Sequence, residues 1–195
     1  MTQGGRRIAK AASLVMALFV LSRLLGLGRQ MIIGALFGTS GDLDAYLAAN
    51  RITETVFLVI AGGAIGSAFI PTFADRLANG EISQAWRLLS SVINLLLIAM
   101  TAVVVLIAVL APTLVRTVVA PGFTPALQML TVRLLRLMLV TPVIFAVSGV
   151  VMSALNAHQH FLLPALAPSV YNLSIIGGAV VLGPRLGVRG MAIGV

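Results

Sequence analysis

Two arginines interrupt the first apolar run of the chain. Arg23 and Arg29 lie between Ala11 and Phe37, where nearly every other residue is apolar or small. A run of this length is typical of a transmembrane helix, and an arginine at the bilayer centre costs about 2.5–3.5 kcal/mol on insertion scales. Such a cation usually faces a protein-lined or water-filled cavity, where it can bind an anion. The alternative is a structural cation that donates to carbonyl groups of a neighbouring helix.

The spacing of these arginines suits an anion with more than one charge. Ser22, Gly26 and Arg29 share one stripe of a helix, and Arg23 lies about 100° away, about 9 Å from Arg29 along the axis. Gly26 and Gly28 allow a bend or the close approach of another backbone. Because each guanidinium presents a donor fork that matches phosphate oxygens, we expect Arg23 and Arg29 to bind a diphosphate or another headgroup with several negative charges.

The second apolar run contains its own polar cluster. Asn50 and Glu54 are separated by four residues, and Arg51 and Glu54 by three, so all three can meet on one helical face. Arg51 and Glu54 either neutralise each other as an ion pair, or serve as a substrate cation and a proton or coupling-ion site. Asp44, at the start of this helix, is a substrate-site candidate or simply a first-turn acid favoured by the helix dipole.

A glycine-rich stretch follows in the same helix. Gly62 and Gly66, and likewise Gly63 and Ser67, form small-xxx-small patterns. Such patterns let helix backbones pack closely, and a hinge in a moving transporter would need the same residues. We expect either packing or hinge motion here.

Few residues suggest covalent chemistry or metal binding. His158 and His160 flank Gln159 without other candidate ligands, and the chain has no cysteine. The sequence shows neither a nucleophile–base pair nor a phosphate-cradling loop. We therefore predict no metal, no cofactor and no enzymatic activity.

The composition indicates the element type that positions these residues. The chain is 59% hydrophobic and 9% charged, with a mean hydropathy of +1.10. Its apolar runs are continuous rather than alternating, which favours an all-α, polytopic membrane helix bundle over a β-barrel. The net charge of +8 points to membrane lipids or an anionic substrate. Without basic stretches interleaved with aromatics, nucleic acid is not an expected partner.

The hydropathy pattern predicts five complete spans and the start of a sixth, as part of a longer protein. The basic N-terminus favours an inside start. The predicted helices cover residues 11–37, 45–74, 85–110, 127–155, 161–182 and 188–195.

Several ordered motifs resemble the MurJ (MviN) family of lipid II flippases, within the multidrug/oligosaccharidyl-lipid/polysaccharide exporter superfamily. The similarity runs along essentially the whole chain. Its motifs are Ser22-Arg23-Leu24-Leu25-Gly26-Leu27-Gly28-Arg29, Leu36-Phe37-Gly38, Asp44-Ala45, Gly63-Ala64, Ala68-Phe69-Ile70-Pro71, Ala120-Pro121-Gly122-Phe123, Leu155-Asn156, Phe161, Pro164-Ala165, Ala167-Pro168 and Asn172.

This resemblance implies a two-lobed transporter of the bacterial cytoplasmic (inner) membrane, of which this chain is the N-terminal lobe. Its partners would be lipid II, membrane lipids and the C-terminal lobe of the same protein. Arg23 and Arg29 match the family's first-helix cavity arginines, Asp44 matches its acid at the start of the second helix, and Arg51 falls where relatives often have a basic residue. The implied function is the flipping of lipid-linked peptidoglycan precursor by alternating access, for cell-wall biogenesis.

The chain also departs from the family pattern. Phe57-Leu58 and Gly62 stand where many members have an arginine pair and a glutamate, and Glu54 stands where relatives often have an uncharged residue. Two other functions therefore remain open. One is export of another polyprenyl-diphosphate-linked sugar or of drugs, and the other is a non-transporting membrane scaffold with structural arginines.

Overall fold

The computed structural model describes residues 3–64 and 69–195, and the side chains of residues 13–58 and 69–195. Every regular element in those ranges is helical, which confirms the predicted all-α class. The chain divides into two compact units, one formed by residues 1–38 and 158–195 and the other by residues 39–157.

The first unit contains the N-terminal helix and the last helices of the chain. The polar amide of Asn172 and a set of glycines mediate its closest contacts. Its elements are α1 (Gln3–Phe37), α7 (Leu162–Gly177), a π-helical segment (Gly178–Leu182), α8 (Gly183–Leu186) and α9 (Val188–Gly194).

Within the described residues, the second unit has an apolar core to which several helices contribute. Phe73, Met100 and Val150 are completely buried there, each on a different helix, so burial of large side chains joins the helices. Its elements are α2 (Gly41–Ala64), α3 (Ile70–Ala78), α4 (Ile82–Leu114), a π-helical segment (Val115–Val119), α5 (Pro125–Met138) and α6 (Val140–Ala157).

Four helices among the described residues are long and apolar enough to cross a membrane. They are Ser13–Phe37, Ile82–Val119, Pro125–Ala157 and Leu162–Leu186. The second predicted span, residues 45–74, is not in this set. Helix α2 carries Asp42, Asp44, Arg51 and Glu54, and residues 65–68 lie outside the described ranges.

Two helices differ from the sequence prediction near proline residues. Helix α4 continues beyond residue 110, with Pro112 inside it, and passes into the π-helical segment. The helix expected over residues 127–155 is divided at Leu139 into α5 and α6. Pro142 follows three residues later, and its ring and missing N–H disfavour an uninterrupted helix.

A glycine forms the last turn of the chain, between the helices predicted over residues 161–182 and 188–195. Pro184 occupies the first turn of α8, where a proline is tolerated. The chain reverses instead at Gly187, whose φ of +60° and ψ of −141° suit glycine.

Candidate functional site

The stripe predicted on the first helix faces α7. Ser22 is buried, and its backbone carbonyl accepts a hydrogen bond from Nδ2 of Asn172 at 3.1 Å. A Cβ atom added to Gly26 would lie 3.7 Å from the same Nδ2 atom. The asparagine therefore packs close to Gly26 while it donates to the backbone of α1, as expected for a polar residue joining two membrane helices.

Arg29 lies one turn further along this stripe. It is half-buried, and its guanidinium carbon lies 5.8 Å from the centroid of the Tyr171 ring. A guanidinium at that distance over an aromatic face is attracted by the ring quadrupole. This cation–π contact restricts the position of Arg29 without neutralising its charge.

Arg23 has a different environment from Arg29. Its side chain is exposed, and within the part of the chain that the structure describes no ion pair to it is formed. The difference follows from the helical period, which separates Arg23 from the stripe that packs on α7. Arg23 is thus a cation free to meet a ligand or another part of a longer protein.

The polar cluster of α2 lines a groove of about 910 Å³ in the second unit. Asp44, Asn50, Arg51 and Glu54 all contribute to its wall. The opposite wall is formed by the end of α4, its π-helical segment and Phe123. Two carboxylates and one guanidinium therefore share a cavity with apolar surroundings, so its charged lining is slightly acidic.

Among the described side chains of this groove, Glu54 bonds to Asn50 rather than to Arg51. Oε1 of Glu54 accepts a hydrogen bond from Nδ2 of Asn50 at 2.7 Å. No ion pair between Arg51 and Glu54 is present among the described side chains, although three-residue spacing permits one. Both charges remain available to the groove, with Glu54 held by a neutral amide.

The glycines predicted for packing or hinge motion have unequal surroundings. Gly26 contacts Asn172, whereas a Cβ atom at Gly28 would have no other atom within 4 Å. Gly62 and Gly63 belong to the described backbone of α2, but their surroundings lie outside the described side chains, and Gly66 lies outside the described residues altogether. The roles of these three glycines stay predictions.

Sequence reasoning missed the partner of Arg29 and the role of Asn50. Tyr171 is adjacent to Asn172 in α7, and this aromatic residue beside an interhelical asparagine was the signal that could have indicated the contact with Arg29. Asn50 and Glu54 showed their i,i+4 relation in the sequence, but Arg51 competed for the same carboxylate. Among the described residues, no cluster of three or more His, Asp or Glu could hold a metal ion.

Comparison with known proteins gives a consistent result along nearly the whole chain. A family model described as "Lipid II flippase MurJ" matches residues 33–195. The lipid II flippase MurJ of Thermosipho africanus is 33% identical over 175 residues, covering 89% of this chain and 35% of that protein. The MurJ of Burkholderia cenocepacia is 31% identical over 169 residues, covering 86% and 33%.

A solved structure has the same fold. The structure titled "Lipid II flippase MurJ, inward closed conformation" matches with a TM-score of 0.77 and 31% identity. The match covers 93% of this chain and 38% of that one. The chain spans about a third of the length of the curated relatives it matches.

Proposed function

The chain belongs to the MurJ family of lipid II flippases, and we propose that it is the N-terminal lobe of a transporter that flips lipid II across the bacterial cytoplasmic membrane. The observation that carries this proposal is the family match over residues 33–195, together with the structural match at 31% identity. The members named in these comparisons are flippases. The proposed process is alternating access without covalent chemistry, completed by a C-terminal lobe.

We propose that Arg23 and Arg29 bind the diphosphate of the substrate. Arg23 is exposed and Arg29 is held over Tyr171 without losing its charge. A diphosphate that leaves water loses strong hydration, so its transfer requires donors that are already in place. Two guanidinium groups about 9 Å apart along one helix provide such donors at successive depths.

The groove of the second unit supplies the remaining proposed roles. We propose that Arg51 and Asp44 contact polar parts of the substrate headgroup, since both line the cavity. Glu54 is proposed as a proton or coupling-ion site, because it faces the same cavity and is bonded to a neutral amide rather than to Arg51. A carboxylate without a paired cation inside a membrane protein usually marks an ion pathway.

Complementation tests the proposed function directly. The full-length protein is expressed in a bacterium depleted of its own lipid II flippase. We expect growth with the wild type, none with Arg23→Leu/Arg29→Leu, and partial growth with lysine at either position, because lysine keeps the charge but loses the donor fork.

A matched control separates substrate binding from general loss of charge. Arg185→Leu/Arg189→Leu removes two exposed arginines from the same unit and should support growth at an equal membrane level. Failure of the wild type would contradict the flippase assignment. Full growth of the Arg23→Leu/Arg29→Leu variant would instead favour structural arginines.

A further inference from the structure

The second unit contains a smaller pocket with three arginines. Arg116, Arg133 and Arg136 line this pocket of about 300 Å³, which lies between the end of α4 with its π-helical segment and α5, where Arg136 belongs to the last turn. No acidic residue contributes to its lining. All three side chains are exposed, and together they give the pocket a positively charged lining that attracts an anion.

Arg136 bonds to a backbone carbonyl that Pro112 leaves without its helical partner. A proline has no N–H, so the carbonyl four residues earlier, at Ala108, loses its helical hydrogen bond. Nε of Arg136 donates to that carbonyl oxygen at 3.0 Å. This contact fixes the plane of the guanidinium and uses one of its five donors, which leaves the terminal nitrogens for a ligand.

The other two arginines have more donors available to a ligand than Arg136 has. Nη2 of Arg133 donates to Sδ of Met129 at 3.4 Å, and a thioether is a weak acceptor. Arg116 is exposed and forms no ion pair among the described residues. The pocket thus presents several charge-assisted donors that a phosphate group could bind in bidentate fashion.

The depth of the pocket in the membrane identifies the kind of anion. The helical span Pro125–Ala157 has 33 residues, which is about 50 Å at 1.5 Å per residue and exceeds the hydrocarbon core of about 30 Å. Such a span extends beyond the hydrocarbon core at its ends. Arg133 and Arg136, about 12 and 17 Å from Pro125 along the helix, lie toward its first end and therefore near the boundary with the lipid headgroups.

We propose that this pocket binds the phosphodiester headgroup of an anionic membrane phospholipid. Basic pockets between membrane helices at headgroup depth are suited to such lipids. The apolar lining from Pro112, Met129 and Val132 suits the glycerol and the upper acyl chains. A zwitterionic lipid should bind less well, because its ammonium group would meet three guanidinium groups. The site is separate from the diphosphate role proposed for Arg23 and Arg29.

Native mass spectrometry of the full-length protein tests the proposal. The purified protein is titrated with phosphatidylglycerol, phosphatidylcholine, undecaprenyl diphosphate or inorganic phosphate. Each of Arg116→Gln and Arg133→Gln should weaken phosphatidylglycerol binding about fivefold, since a surface arginine contributes about 1 kcal/mol toward an anionic lipid. The double variant should weaken it about twenty- to thirtyfold and leave phosphatidylcholine binding within twofold of wild type.

Controls distinguish a lost site from a lost fold and from the substrate site. Arg185→Gln/Arg189→Gln removes the same charge elsewhere and should change phosphatidylglycerol binding less than twofold. Arg136→Lys tests the third arginine. It keeps the positive charge but loses the donor fork, so it should weaken phosphatidylglycerol binding. Unchanged phosphatidylglycerol binding in the double variant would overturn the proposal. So would displacement of the lipid by millimolar phosphate, or an equal loss of undecaprenyl diphosphate binding.

Discussion

At the scale of single residues, the partner of each arginine indicates its role. Arg136 bonds to a carbonyl freed by a proline, which is the structural use of a membrane arginine. Arg29 lies over an aromatic ring and Arg23 is exposed, so both keep their full charge for an anion. Arg136 thus has the structural use named for a membrane arginine, and anion binding is the use proposed for Arg23 and Arg29.

Glu54 provides a prediction at this scale. In the full-length protein, Glu54→Gln keeps an acceptor for Asn50 but cannot bind a proton or a cation. If the carboxylate couples transport to an ion, lipid II translocation should fall at least about tenfold, equivalent to 1.4 kcal/mol. The measurement is the appearance of lipid II in the outer leaflet of energised cells.

The control for this prediction is Asp42→Asn. Asp42 is an exposed acid in the first turn of the same helix and does not line the groove, so its replacement should leave translocation near the wild-type rate. Wild-type translocation by Glu54→Gln would show that the carboxylate has no coupling role.

Part of this site could be predicted from the sequence and part could not. The helical period correctly placed Ser22, Gly26 and Arg29 on one stripe, with Arg23 to one side. The contact between Arg29 and Tyr171 depends on how two distant helices pack, and no local spacing encodes it. The choice of Asn50 over Arg51 as the partner of Glu54 depends on rotamers, which spacing alone leaves open.

At the scale of helices, the boundaries in the structure differ from those predicted from hydropathy near two prolines. Hydropathy located the apolar runs because each is continuous. It could not show that α4 continues through Pro112, since the freed carbonyl is satisfied by Arg136 from another helix. The division between α5 and α6 at Leu139 also depends on a proline, Pro142, inside an apolar run.

Close glycine packing in the first unit gives a prediction at this scale. A Cβ atom at Gly178 would lie 2.5 Å from the carbonyl oxygen of Gly190, a backbone atom that cannot rotate away. Gly178→Ala should therefore destabilise the full-length protein by about 1–3 kcal/mol, the usual cost of overpacking. The measurement is the midpoint of thermal unfolding in detergent.

The neighbouring glycine is the matched control. A Cβ atom at Gly177 would have no other atom within 4 Å, so Gly177→Ala should leave the midpoint unchanged or raise it, because alanine favours a helix by up to about 1 kcal/mol over glycine. Equal effects of the two substitutions would contradict the packing of α9 against the π-helical segment.

At the scale of the whole molecule, the chain matches only part of the length of its relatives. It spans about a third of its curated relatives, and its own helices form two compact units. A substrate headgroup larger than either cavity would need surfaces from the rest of the protein. The exposed side chain of Arg23 is consistent with the substrate binding proposed for it.

The most direct test of the central claim measures where lipid II is located. Full-length wild type and Arg23→Leu/Arg29→Leu are compared for the fraction of lipid II accessible from outside the cytoplasmic membrane, at equal protein levels. Because a hydrogen bond to a charged group contributes about 1.5–3 kcal/mol, loss of both arginines should lower the translocation rate by at least about tenfold. A wild-type translocation rate in the leucine variant would contradict the claim that these arginines bind the diphosphate as lipid II crosses the membrane.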